Sequence, residues 1–437
     1  MDQSQEQAGL GARRLAWNAV TETLKRRVPL DDVLDELGQT ENLSSRDEAL
    51  ARAIAIVAFR RLGTIGQALR DRLDKGARDE RLLHLLAIGA AQILYLDVPD
   101  HAAVDTAVQL AQGDHRLKHA GGLINAVLRR VARERDAILS ANDPWIDTPT
   151  WLEEGWVSHY GEPLARQIAE AHRTMASVDL TTKDNAAGWA ERLGGILLPT
   201  GSIRLTERTA IRDLPGYDEG AWWVQDAAAA LPARLLRPQA GERIADLCAA
   251  PGGKTAQLAA AGAEVLAVDR SAKRLERLEE NLARLNLTVA TLAIPAEKLD
   301  EEPFDAILLD APCSATGTIR RHPDVAWTKD EQDMRKLAAL QSRLLDKSAS
   351  LLKPGGRLVY CTCSLEAEEG EQQAEAFLNR HPHMKRDPIT PAEIGGMAEW
   401  LTPAGDLRTL PCHLTLPDHD RSGLDGFFAA RFVRSVE

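Results

Sequence analysis

No run of apolar residues in this 437-residue chain reaches the roughly eighteen needed to cross a bilayer. The opening stretch MDQSQEQAGLGARRL also lacks the basic-then-apolar layout of a secretory signal. Neither a membrane span nor secretion is expected, and the chain reads as a cytoplasmic protein. Cysteine is scarce: there are five, an odd number, with no Cys-x-x-Cys pair and no His/Cys group at zinc spacing. That argues against a disulfide framework and against a bound metal, so any cysteine that matters is expected to matter chemically. A basic excess is missing too. The formal net charge of −12 argues against a protein that holds nucleic acid by bulk electrostatics. Residues 1–140 carry 20 Lys and Arg against 20 Asp and Glu, and the rest of the chain carries 33 against 45. A nucleic acid partner would have to meet local basic patches.

What is present is enough apolar residue, 44% of the chain, to fill a core in each of roughly three domains. Through residues 1–141 the apolar positions recur at helical spacing, as in AIAIVAFRRLGTIGQAL and RLLHLLAIGAAQILYL, which predicts an all-helical domain. NDPWIDTPTW, with two prolines and several cap-type residues, marks a boundary. Residues 142–221 mix the helical GEPLARQIAEAHRTM with short alternating pieces and turns, which predicts a small α+β domain. From 222 to 437 strands and helices alternate, which predicts a parallel sheet covered by helices on both faces, a Rossmann-like α/β domain. Its strands are RIADLC, EVLAVD, TVATLAI, FDAILLD and RLVYCTC, with helices starting near Thr255, Ser271, Asp330 and Glu366. GFFAARFV adds a final antiparallel strand.

The turn DLCAAPGGKT, residues 246–255, resembles a phosphate loop but has Cys248 where a Walker loop needs its first glycine. It is a strand end at Asp246, then a small-residue turn through Cys248, Ala249, Ala250, Pro251, Gly252 and Gly253, then a helix. Such a turn lets a ligand lie against backbone at the carboxyl end of a strand, where open α/β sheets bind ligands. The next strand ends in Asp269, an acceptor suited to ribose hydroxyls, although a helix-capping role fits that position about as well. Together they point to a nucleoside cofactor. The fourth strand ends in LLDAPCSATGTIRRHPD, bringing Asp310, Pro312 and Cys313 to the same crevice, and the fifth ends in VYCTCS with Cys361 and Cys363. Taken singly, each cysteine reads as a small buried hydrophobe. Their shared place at neighbouring strand mouths favours chemistry. Alternation puts Cys361 and Cys363 on the same side of the strand and does not say which reacts.

DLCAAPGGKT, DAPCSATG and TCS, in this order, resemble the signature of the RNA (cytosine-5)-methyltransferases that use S-adenosylmethionine. WWVQDAAAALPA and DGFFAARF resemble that family's entry and closing motifs. The helical first domain, ending in AGGLINAVLRRV, resembles the NusB-like RNA-binding domain, which points to the branch that acts on bacterial 16S rRNA. The resemblance implies that S-adenosylmethionine is held by Cys248, Ala249, Ala250, Pro251, Gly252, Gly253, Lys254, Asp269 and Asp310. It implies Cys363 as the nucleophile that adds to carbon 6 of cytosine, since carbon 5 is too weakly nucleophilic to be methylated directly. Asp310 would bond or protonate N3, Cys313 would assist release of the product, and Lys254 would line the site. Cys361 and Cys412 receive no role. Two departures stand out: Pro295 occupies the place of an Asp that usually meets the adenine amino group, so that either Glu297 or a backbone group replaces it or adenine is held less specifically, and VDLTTKD replaces a strand that often carries Arg.

The target base has to be unpaired or flipped out of its stack. Arg320, Arg321 and His322, and the helix end RRVARER, are the local basic groups available for RNA phosphates, or else solvated faces. The expected partner is 16S rRNA, free or in an early small-subunit particle, with the protein a monomer, no metal and no membrane. A sibling enzyme acting on tRNA or another rRNA site is the nearest alternative. A nucleotide-dependent dehydrogenase would not need the cysteines, and a non-enzymatic RNA-binding protein would explain only the first domain.

Overall fold

The helix Glu80–Tyr95 starts where the Asp79 side chain accepts from the backbone N–H groups of Arg81 and Leu82, at 2.9 and 3.4 Å. It is buried from Leu82 to Leu94 on nearly every face, as a helix apolar all round must be. Helices Gln3–Arg26, Ser45–Arg60, Asp100–Gly113 and Gly121–Arg133 pack around it in one hydrophobic core. Gly89 allows the close approach: a Cβ there would lie 2.7 Å from Leu128. The computed structural model describes residues 3–41, 43–73, 79–140, 143–207 and 209–436. The expected boundary between 141 and 142 lies outside these residues, as do the chain ends 1 and 437.

The described chain divides into two compact units. The first comprises residues up to Arg173 together with Ile319–Asp330. In it the helices Thr150–Tyr160 and Glu162–His172 follow a short turn whose buried Asp147 accepts from the Thr64 N–H and hydroxyl at 2.8 and 2.9 Å. The late segment Ile319–Asp330 belongs to the same unit. Trp327 Nε1 donates to the carbonyl of Phe59 at 2.9 Å, Leu30 N–H to Asp324 at 3.1 Å and Arg60 to the carbonyl of Arg320 at 2.9 Å.

The second unit holds Thr174–Thr318 and Glu331–Glu437. It begins with a four-stranded antiparallel sheet, in the order 196–197, 203–204, 179–182, 222–224. The larger sheet has eight strands: β1 (Arg243–Leu247), β2 (Glu264–Asp269), β3 (Ala290–Ala293), β4 (Phe304–Asp310), β5 (Leu352–Thr362), β6 (Met384–Arg386), β7 (Leu407–Thr409) and β8 (Phe427–Arg434). Their order is β6-β8-β5-β4-β1-β2-β3, with β7 also paired to β8. Strands β1 to β5 pair in parallel and β8 runs antiparallel to β5. Helices α1 (Gly253–Ala260), α2 (Ala272–Arg284), α3 (Glu331–Ser350) and α4 (Glu371–Arg380) connect them. β1 and β4 are buried almost throughout, which explains why their sequences are runs of apolar residues and not alternations. This is the expected Rossmann-like architecture. The short strands β6 and β7 carry too few residues to show a period, and the sequence did not reveal them.

A buried ion pair ties the small sheet to the larger domain. Arg204 donates twice to Asp179, each at 2.7 Å, and its remaining donors reach the carbonyls of Arg421 and Gly423 at 2.6 and 2.7 Å. Asp179 also accepts from the Ala227 N–H at 3.1 Å. The strand VDLTTKD thus lacks an Arg but meets one from its neighbour. Replacing Arg204 by Ala strands a carboxylate and two carbonyls in the interior. It is expected to destabilise this unit by about 3–5 kcal/mol, read as a lowered denaturant midpoint by tryptophan fluorescence; an unchanged midpoint would contradict the assignment.

Candidate active site

The carboxyl ends of β1, β2, β4 and β5 carry the residues singled out in the sequence. The chain leaves β1 through Cys248, whose φ of 64° and the φ of 102° at Gly252 fold the turn back over the strand. Glycine is required at 252, because a Cβ would lie 2.7 Å from Leu278 of α2. Ala249 N–H bonds the carbonyl of Val268, so the turn is stitched to the end of β2. At that end Asp269, 3% exposed, accepts from Ala250 N–H at 3.2 Å and Ser271 N–H at 2.9 Å. Ser271 is the residue that caps α2, so Asp269 braces two loops and is not itself the cap. Arg274 Nη1 lies 3.4 Å from Oδ2, so Oδ1 is the oxygen that keeps a second acceptor position.

Asp246 is fully buried at the floor of the turn. Thr255 donates to its Oδ2 at 2.6 Å, and its Oδ1 has no hydrogen-bond partner. Burial pushes its pKa up to about 7, against the opposing bond from Thr255. An orphaned buried oxygen, a small-residue cradle and a carboxylate at the next strand end form a donor and acceptor set that fits a nucleoside cofactor. Pro295 opens a short 3-10 turn after β3, and Glu297 within it is partly exposed and 3.7 Å from Arg343.

Lys254, alone in sequence a surface lysine, is buried. Its Nζ lies 2.7 Å from Asp310 Oδ2 and 5.0 Å from the ring centre of Phe427 on β8. Burial on its own would discharge the amine, but the Asp310 charge outweighs it, so the pKa is raised and Lys254 is cationic. Asp310 pairs with Cys361 across β4 and β5, and the Cys361 thiol reaches Asp310 Oδ1 at 3.4 Å. Cys361 is therefore buried, as expected, yet it touches the site. Cys313 and Cys363, both partly exposed, face each other with sulfurs 3.5 Å apart. The contact with Cys363, then burial, raises the Cys313 pKa and keeps that thiol protonated. Burial holds Cys361 and Cys248 protonated likewise. Gly317 N–H bonds the carbonyl of Cys363 at 2.9 Å, and Gly426 N–H bonds that of Gly317 at 2.8 Å.

The structure thus gathers Lys254, Asp310, Cys313 and Cys363 into one cluster beside the turn from Cys248 to Gly253. It also places there residues given no role from the sequence: Phe427, Asp246, and a buried acid, Glu369, hydrogen-bonded to Ser314 beside Cys313. EAEEGE, in which Glu369 sits, reads as a solvated helix start, and nothing in a charged run distinguishes its buried members, Glu366 and Glu369, from exposed Glu368. Arg320, expected among the phosphate contacts, is corrected: at 2% exposure it is buried. Arg129, Arg130 and Arg133 of RRVARER are exposed. Among the described residues no group of His, Cys, Asp and Glu could hold a metal, and no helix is long and apolar enough to cross a membrane.

Comparison with known proteins bears on this geometry. A family model described as 16S rRNA methyltransferase RsmB/F matches residues 233–433, and that of the NusB family matches residues 10–133. The protein named ribosomal RNA small subunit methyltransferase B of Salmonella arizonae is 36% identical over 443 residues, covering 97% of this chain and 98% of that protein. Its namesake from Vibrio cholerae is 39% identical over 379 residues, 81% of this chain and 86% of the other. The crystal structure of PH0851, at 23% identity, shares the fold with a TM-score of 0.76 over 97% of this chain and 98% of that one. With full-length relatives at this identity, and with the crevice built as described, the chain belongs to the 16S rRNA methyltransferase RsmB/F family and uses S-adenosylmethionine as its cofactor.

Proposed function

We propose that the protein methylates carbon 5 of one cytosine in 16S rRNA through a transient bond between Cys363 and carbon 6 of the base. The observation that carries this reading is the pair of thiols 3.5 Å apart at the ends of two adjacent strands, beside a carboxylate paired with a buried lysine. When bound, S-adenosylmethionine supplies an electrophilic methyl group. The turn from Cys248 to Lys254, with Asp269 and Asp310, would hold it, and Glu297 or a backbone group would serve the adenine end in place of the usual Asp.

The chain's own residues do the rest. As the Cys363 thiol gives its proton to the Asp310 carboxylate, its sulfur adds to carbon 6, the ring electron pair moves toward N3, and Asp310 passes that proton on to N3. That addition turns carbon 5 into an enamine carbon able to accept a methyl. Lys254 holds Asp310 by charge and shields it from water together with Phe427. Afterwards a base must take the proton on carbon 5 so that the carbon–sulfur bond breaks and returns its electrons to Cys363. Cys313, the neighbouring thiol, assists that step. The base reaches these groups only when out of its stack.

The proposed division of labour is RNA docking by residues 1–141, a linking or RNA-binding role for 142–221, and catalysis by 222–437. Arg129, Arg130 and Arg133 are the exposed cations proposed to meet phosphate. The protein is proposed to act as a cytoplasmic monomer on 16S rRNA, free or in an early small-subunit particle. A sibling reading, in which tRNA or another rRNA site is the substrate, would use the same crevice.

Cys363→Ala is expected to abolish turnover and leave no covalent complex, whereas Cys313→Ala accumulates a protein–RNA complex that survives denaturing electrophoresis. Reversed behaviour would exchange the two roles. Asp269→Ala is expected to weaken cofactor binding about tenfold or more, measured by calorimetry on the protein without RNA; unchanged affinity would remove Asp269 from the cofactor site. Bisulfite mapping of RNA from a deletion strain is expected to show one 5-methylcytosine lost from 16S rRNA. A loss confined to tRNA would select the sibling reading.

A further inference from the structure

The loop that carries Cys313 leaves β4 with two backbone bonds to the β5 side, Ala311 N–H to the carbonyl of Cys361 and Gly317 N–H to that of Cys363, both 2.9 Å. Between them it is anchored by a side chain from a third segment. Glu369, fully buried, accepts from the Ser314 N–H at 3.0 and 3.1 Å on its two oxygens, and from the Ser314 hydroxyl. Gln341 of α3 donates to the same carboxylate at 3.0 Å and to the carbonyl of Pro312 at 2.9 Å. Of the residues on either side of Cys313, Ser314 is therefore fixed to the acid directly and Pro312 through Gln341. The main-chain carbonyl of Glu369 serves the other cysteine strand: Tyr360 hydroxyl donates to it at 2.7 Å and Thr362 hydroxyl at 3.1 Å. Ser314 and Ser364 hydroxyls, 3.1 Å apart, close the ring between the segments.

The Ser314 N–H and the Gln341 amide can only donate to the Glu369 side chain. Two carboxylate oxygens accept both together with the Ser314 hydroxyl; an amide keeps a single oxygen for the two fixed donors and forces the hydroxyl to reverse. An interior acid so placed, touching no solvent, has no use as a surface charge. We propose that Glu369 is a positioning residue whose carboxylate sets Cys313 against Cys363, and so governs the release of product. This rests on the cysteine roles proposed above. The effect on rate comes through geometry, since a displacement of about 1 Å at a reacting group costs up to a hundredfold.

The test uses the full-length protein and reads spacing and chemistry separately. Diamide takes one hydrogen from each of two adjacent thiols, is reduced to the hydrazine, and leaves a Cys313–Cys363 disulfide that peptide mass mapping identifies. Glu369→Gln is expected to slow this cross-link about tenfold or more. Ser314→Ala, which removes only the hydroxyl donor, should slow it less, and stands as the measurement if Glu369→Gln does not fold by circular dichroism. In turnover, Glu369→Gln is expected to lower kcat about tenfold, with KM for RNA and for cofactor little changed, and to accumulate the covalent complex. Adding it to Cys313→Ala should raise the complex no further. Folded variants that cross-link at the unaltered rate would overturn the proposal, as would a fall in kcat without the complex while Cys313→Ala does accumulate it. If Cys313→Ala forms no complex, the cysteine roles fail, and the diamide rates alone decide whether Glu369 sets the spacing.

Discussion

The parallel pairing of β4 with β5, with Asp310 opposite Cys361, is the constraint from which the rest of the crevice follows. Side chains at the same level on adjacent parallel strands come within bonding reach, so one oxygen of Asp310 meets the Cys361 thiol while the other is left for Lys254. Two residues further on, the same register brings Cys363 to the loop after β4 and its sulfur to that of Cys313. A slip by one residue would turn these side chains to the opposite face of the sheet. The buried strands resist such a slip, because it would break every apolar contact in the layer.

Electrostatics then separates groups that sequence treats alike. Five cysteines lie in the chain, and four of them come to the mouths of β1, β4 and β5. Cys248 and Cys361 are held as thiols by burial, and Cys313 by its neighbour and by burial. Lys254 works in the opposite sense, keeping a positive charge in an interior that would ordinarily remove it. The crevice of an acidic protein thus holds a local cation beside the place where the proposed addition would build negative charge on a pyrimidine.

Much of this was legible in the sequence, for definite reasons. Buried parallel strands leave apolar runs, and RIADLC, EVLAVD, FDAILLD and RLVYCTC could be placed with no other information. The turn at Cys248–Gly253 betrays itself by small residues. Asp269, Asp310, Cys313 and Cys363 stand at strand ends, where position alone suggests use. What could not be read were contacts whose partners are far apart in the chain and share no period. The Arg that meets Asp179 comes from a strand of two residues. Glu369 looks like its exposed neighbour Glu368, and only burial and the donors from Ser314 and Gln341 reveal its part. Arg320, beside the cysteine loop in sequence, proved to be buried.

That last residue belongs to the segment Ile319–Asp330, which begins three residues after Thr316 of the cysteine loop yet is packed into the helical unit through Trp327, Asp324 and the carbonyl of Arg320. The helical unit is thus a discontinuous fold, closed by a strip of chain borrowed from the interior of the catalytic sequence. Removing the helices alone would therefore take from the strip between β4 and α3 the partners it has here, Phe59, Leu30 and Arg60.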